Sequence, residues 1–265
     1  MKTLLGPRGR IIASAFLGLV LIVMLFPFYT IGRGSMEFAG HLSWRNWQVL
    51  FQNLPVVQQL INSTIVTVGS VACILIISSL AAFALTKLRI PRGGALLGLI
   101  GASMMIPMQS MILTEFINFA AIGASDNYLA VIATYAALGI PFGTFLMTSF
   151  MRDLPDELVE AAQIDGMPYW RIFANVILPL SAPALLAVGV LQFIQIWDDL
   201  LVALIFLQEP AVRTITVGLA VLQSGRVLDI PVLLAGSLLS ALPAMLAYLL
   251  FQRALIGGLT LGIGK

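Results

Sequence analysis

Charge is what this chain lacks most. Asp, Glu, Lys and Arg make up 10% of its 265 residues, while 60% are hydrophobic. A soluble domain carries about 25% charge, so the chain reads as an integral membrane protein. A net charge of +2, with basic residues that form no stripe, excludes a nucleic-acid footprint. Cysteine and histidine occur once each. The lone Cys73 excludes an internal disulfide and, lying in an apolar run, reads as a small buried hydrophobe. His41 has no second histidine to share a metal, so it reads as a solvated or locally bonded side chain. HExxH, GxSxG and CxxC are missing. The terminal GLTLGIGK has the wrong spacing for a phosphate loop, and no helix follows it. With no Walker site and no recognisable covalent chemistry, any uphill work must draw on a partner or an ion gradient.

What the chain has in quantity is long apolar runs. Six of them, roughly 11–31, 60–86, 94–118, 128–150, 181–207 and 231–256, are long enough to span a bilayer, and each is expected to be helical because irregular backbone cannot face lipid. The fold class is therefore an all-α membrane protein with six transmembrane helices. Lys2, Arg8 and Arg10 precede the first run as in a secretory signal. The run is too long for a signal core and lacks a small-x-small cleavage site, so it reads as an uncleaved span. Placing the N-terminus inside puts Lys2, Arg8, Arg10, Lys87, Arg89, Arg92, Arg152, Arg171, Arg253 and Lys265 in the cytoplasm. Arg33, Arg45, Arg213 and Arg226 fall outside. That excess supports both termini being cytoplasmic.

The organisation expected is residues 1–59 as tail, first span and external loop, 60–256 as the core with a cytoplasmic loop at 151–180, and 257–265 as a tail. Phe38, Trp44, Trp47 and Phe51 make the first external loop aromatic, which suits an interfacial helix or a contact for an external partner. The loop from Gln208 to Ile230 is the other external connection of useful size. Pro27, Pro107, Pro141 and Pro243 interrupt spans, and such prolines often mark kinks beside cavities.

Polar groups inside spans are few. Asp198 and Asp199 in QIWDDLL, and Glu115 in the third span, are costly in lipid and should face protein or water. They read either as lining of a translocation path or as interfacial, solvated groups. Asn62, Gln109, Gln192 and Gln195 read as interhelical hydrogen-bonding groups, and Asn62 and Gln195 join the acids as candidate path residues.

The segment Asp153–Pro179 stands apart. It holds Asp153, Asp156, Glu157, Glu160 and Asp165, five of the chain's twelve acidic residues. Asp153 suits a cap, Pro155 a first turn, Gly166 a C-terminal stop, and Pro168 and Pro179 bracket a second short helix. Two short helices joined at a glycine between spans look like a docking element.

EAAQIDG at 160–166, followed by Phe173 and Ile177-Leu178-Pro179, resembles the signature loop of inner-membrane permease subunits of bacterial ABC importers. The chain is further similar to the carbohydrate, maltose-type branch in INSTIVTVGS (61–70), SLAAFALTKLRIPRG (79–93), MMIPMQS (104–110), LPDELVEAA (154–162) and FQRALIGGLTLGIGK (251–265). One departure is Trp197-Asp198-Asp199, where that branch often has Trp-Asn. The resemblance implies a type I importer permease forming half of a path for a sugar or sugar-like solute in the bacterial inner membrane. Its partners would be a second, similar permease, two ATPase subunits that bind ATP and Mg, and an external solute-binding protein; no cofactor is expected in this chain. It also implies that Glu160, Ala161, Ala162, Asp165 and Gly166 form the coupling helix that docks on an ATPase. The alternative is a secondary transporter driven by an ion gradient through Glu115, Asp198 or Asp199, with inverted repeats and discontinuous helices.

Overall fold

Apolar sequence of this length has one way to hide its backbone in lipid, and helices dominate. The computed structural model describes residues 7–88, 90–224 and 229–260, with side chains from 11 to 252 inside those ranges. Lys2, Arg89, Arg226 and Lys265, counted above for orientation, lie outside the described residues, as do tail residues 261–265 and the side chains of Arg8, Arg10 and Arg253. Among the described residues, four helices are each long and apolar enough to cross a membrane. They lie within α1 (Pro7–Met36), α3 (Val56–Lys87), α6 (Tyr128–Arg152) and α13 (Ile230–Thr260), the last of which follows the short α12 (Ile215–Gln223) in the chain.

The third and fifth spans correct the expectation of unbroken helices. The third is α4 (Gly93–Ser103) and α5 (Met108–Ala121), bent by 90° across the break. Pro107 holds extended backbone at the N-cap of α5, so residues 104–107 cannot continue a helix. The fifth span stops at Asp198 (α10, Ala182–Asp198), and helix resumes only as α11 (Leu201–Phe206). Pro179 does not end a helix either. It sits inside α9 (Leu178–Leu180), after α8 (Tyr169–Ile172) and a π-helical turn at Phe173–Ile177. A proline ring clashes with the carbonyl four residues earlier in an α-helix, and the wider π turn just ahead of Pro179 relieves that clash. The bend of 75° comes next, at Ser181.

Two compact units divide the chain: residues 1–56 with 219–240, and residues 57–218 with 241–265. In the first, α1 buries none of its apolar window. A two-residue hairpin (Glu37–Phe38, His41–Leu42) turns at Ala39 and Gly40, both at positive φ, the geometry of a type I′ turn. The aromatic loop does contain a short helix, α2 (Arg45–Asn53). Asn46 fixes its start by donating from Nδ2 to the Ser35 and Glu37 carbonyls at 3.0 Å, and the Arg45 guanidinium lies over the Phe38 ring.

The second unit holds the core, where Ile74, Val131, Met147, Met151, Ile172, Ile177 and Val188 are fully buried. Cys73 packs beside it, half-buried. Contact between α3 and α6 depends on Gly139 and Gly143. A Cβ on Gly139 would strike Ile74 and Gln192 Oε1, and one on Gly143 would strike Ser78. Small residues four apart let two membrane helices approach closely, and Ser78 Oγ then donates to the Ile140 carbonyl at 3.2 Å.

Candidate functional site

The charged segment folds as a short helix and a reversal. The start differs from expectation: Asp153 ends α6 as its C-cap, and α7 begins at Glu157 with Asp156 at the N-cap (Glu157–Ile164). The end follows the sequence. Met167 N–H donates to the Ala162 carbonyl at 3.0 Å and Gly166 N–H to the Gln163 carbonyl at 2.9 Å, the two bonds of a Schellman stop. Gly166 has φ +74°, and a Cβ there would meet nothing. Conformation, not space, requires glycine at this position. The paired alanines divide their work: Ala162 is buried with Val159 in the chain's own core, and Ala161 faces out with Glu160 and Asp165. Ile164, 87% exposed, and Trp170, 64% exposed, put large apolar side chains on the outside of this charged tip.

Lys87 carries more than a positive charge on a loop, a role its sequence did not disclose. Its side chain is 2% exposed, and Nζ donates to the Leu154 carbonyl at 2.6 Å and to Asp156 Oδ1 at 2.7 Å. The last turn of α3 is thereby fastened to the approach of α7. Thr86, Lys87, Asp156, Glu160, Gln163 and Tyr169 line a small hollow at this junction.

Among the path candidates, the structure brings Glu115 and Gln195 together and leaves the others elsewhere. Glu115, Gln192 and Gln195 line a cavity of about 430 Å³ between α5, α6 and α10, with Pro107 and Pro141 in its wall. Two of the four span prolines thus border this polar cavity; Pro243 borders an apolar groove instead. Irregular backbone at membrane depth is tolerated where it lines a cavity, and the 104–107 break does so through Met104, Ile106 and Pro107. Glu115 Oε2 is buried there without a hydrogen-bond partner. On α10, Gln192, Gln195 and Asp198 recur every three residues, so each is beside the next, while Asp198 is turned about 120° around the axis from Gln192. Gln192 is buried, while Gln195 and Asp198 are exposed.

Asp199 and Asn62 hold backbone. Asp199 Oδ1 accepts from Tyr135 Oη at 2.7 Å and from Val202 N–H at 2.9 Å, which starts α11 after the break. Asn62 is fully buried. Its Nδ2 donates to the Ala211 and Arg213 carbonyls at 2.9 Å each, and its Oδ1 accepts from Gln58 Nε2 and Tyr128 Oη. Those four bonds fill the capacity of an amide. Ser63 Oγ accepts from Ile215 N–H and Asp126 Oδ1 from the Gln208 and Glu209 N–H groups, so the 208–215 segment is pinned from several sides. Gln109 lies in the first turn of α5, and His41 is exposed in the hairpin.

Broken apolar helices, a polar cavity at the breaks and a protruding charged loop define a membrane transport subunit. The family model described as "Binding-protein-dependent transport system inner membrane component" matches residues 4–256, and the chain belongs to that family. It is similar to the sulfoquinovosyl glycerol transport system permease protein of Agrobacterium fabrum, at 32% identity over 217 residues, covering 82% of this chain and 76% of that one. It is also similar to the trehalose transport system permease protein of Mycobacterium tuberculosis, at 29% over 243 residues, 91% and 88% of the two chains. A bacterial ABC transporter involved in import of the acidic polysaccharide alginate has a chain of the same fold, with a TM-score of 0.78 at 22% identity, covering 95% of this chain and 99% of its own. The protein is a permease subunit of an ATP-driven, binding-protein-dependent importer, with the type I fold. The discontinuous helices expected of an ion-driven transporter occur here within an importer fold.

Proposed function

We propose that this subunit walls half of a path for a sugar or sugar-like solute and is driven through its α7 loop by a separate ATPase. The observation that carries the coupling role is the tip built by α7 and Gly166: Ile164 and Trp170 are exposed on a rigidly stopped helix, and large apolar side chains on a charged, water-facing loop call for a partner surface. Glu160, Ala161, Asp165 and Gly166 form the docking face, and Ala162 seats the helix on the membrane core. The excess of Lys and Arg on one side favours a cytoplasmic loop and cytoplasmic termini. The complex would pair this chain with a second permease and two ATP-binding subunits, which bind ATP and Mg, and would receive solute from an external binding protein at the pinned 208–215 segment. A sugar cargo is supported by the trehalose relative.

For the path, the α10 face with Gln195 and Asp198, together with Glu115, is the surface favoured. Polar side chains left exposed on a membrane helix need water or protein opposite them, and a path between two permeases supplies both. The test is affinity purification of the tagged protein from its own membranes in mild detergent, beside Glu160→Lys and Gly166→Trp. An ATPase that co-purifies with the wild type and is lost from the variants supports the reading. A chain that purifies alone and carries solute into liposomes without ATP overturns it.

A further inference from the structure

We infer that the hollow where α1 leaves the membrane holds the headgroup of one phospholipid, and that it selects an aminophospholipid of the phosphatidylethanolamine kind. Depth comes first. About 20 helical residues cross the roughly 30 Å of apolar bilayer, so a hydrocarbon core entered at Ile11 ends near Thr30. Tyr29, Arg33, Glu37 and His41 then stand at headgroup level. With Met36 and Leu42 they line a hollow of about 520 Å³, inside the small-molecule range of about 300–1,000 Å³. Acyl chains have a surface to follow, because α1 buries none of its apolar window. Tyr29, Leu42 and Trp44 are exposed, and aromatic side chains at this depth are those of an interfacial belt.

Charge then selects the headgroup. Arg33 Nε and Glu37 Oε2 are 3.7 Å apart, with side chains 62% and 47% exposed, a separation longer than a hydrogen bond. So loose a surface pair adds little to the fold, and it leaves guanidinium donors and carboxylate acceptors unspent. Opposite charges set side by side match a zwitterion. The guanidinium takes phosphate oxygens, a pairing suited to two parallel bonds, and the carboxylate accepts from a primary ammonium. His41 brings a further ring nitrogen to the same hollow. The backbone under the pair is fixed: the hairpin turns at Ala39 and Gly40, and Asn46 Nδ2 holds the Glu37 carbonyl at 3.0 Å.

Other common headgroups fit less well. Phosphatidylcholine has the same charges, but its ammonium carries no N–H and gives Glu37 no hydrogen bond. Phosphatidylglycerol has no cation, so its phosphate would meet the Glu37 carboxylate with nothing to offset the repulsion.

The test is native mass spectrometry of the complete purified importer, stripped of lipid in detergent and titrated with dioleoyl phosphatidylethanolamine, phosphatidylcholine or phosphatidylglycerol. In the wild type the first ethanolamine lipid should bind about fivefold more tightly than either of the others. Glu37→Leu should bring ethanolamine down to the choline level, and Arg33→Met should weaken both about fivefold. The mass of the intact complex shows that each variant has folded and assembled. The inference is overturned if the three lipids bind the wild type within twofold of one another, or if phosphatidylglycerol binds best. It is also overturned if Glu37→Leu keeps the ethanolamine preference, the result to be seen where a partner subunit covers this end of α1. Should no partner co-purify, the proposed function fails, and the same titration of this chain alone still decides the lipid site, because every residue of the hollow belongs to it.

Discussion

The two ends of α3 are fastened with different chemistry. At one end, a single ammonium, Lys87, holds a carbonyl and a carboxylate, and the carboxylate's side chain is 63% exposed. At the other, a neutral amide, Asn62, is wholly buried and makes four hydrogen bonds. The Asn62 clamp has no water to fall back on; in the Lys87 clamp only Asp156 does, because the lysine is itself buried. A neutral, saturated network suits a loop that must hold one shape. A charged clamp with one wet partner suits the joint that the proposed coupling role requires, since Asp156 can be rehydrated during movement at small expense.

Substitutions at the two ends should therefore differ in size. Asn62→Leu strands the Ala211 and Arg213 carbonyls and the Tyr128 hydroxyl, and should destabilise the assembled complex by about 3 kcal/mol. Thermal unfolding in detergent measures this, and hydrogen exchange should quicken at 208–215. A wild-type melting profile would break the comparison. Lys87→Met keeps the stem and removes both charge-assisted bonds. A loss of about 2 kcal/mol should come with faster exchange confined to residues 153–166, and ATP hydrolysis should respond less to solute-loaded binding protein. Asp156→Asn should change stability least, by about 1 kcal/mol, because an amide oxygen can still accept from the ammonium, which also keeps the Leu154 carbonyl. A larger effect from Asp156→Asn than from Lys87→Met would mean that the carboxylate, not the carbonyl, carries the joint.

The charged loop was legible in the sequence because its residues are the wrong kind for their neighbourhood. Five acids and a glycine inside an apolar chain announce a water-facing helix and its stop, and Gly166 takes the positive φ that its position implied. The path was half legible. A polar residue in an apolar run says that something must satisfy it, but not whether that is solute, water or a carbonyl. Asn62 and Gln195 look alike in sequence, yet one is saturated by hydrogen bonds within the protein and the other is exposed. The break at 104–107 escaped because hydropathy runs unchanged through Met104-Met105-Ile106; only Pro107 hinted at it. Gly139 and Gly143, four apart, were the unread signal for the α3–α6 seat. Lys87 was counted as a topological charge, since nothing local shows that residue 154 folds back to meet it.

The π turn at Phe173–Ile177 places one more residue in its turn than an α-helix would. Every side chain before it is thus indexed, relative to α10, one position away from where uninterrupted α-helix would set it. Deleting any one residue of that turn would leave composition and hydropathy almost untouched, yet would rotate Tyr169–Ile172 by about 100° about the helix axis and return Pro179 to its clash. Alignments of this region that tolerate a single-residue gap would therefore be comparing loops that face different ways.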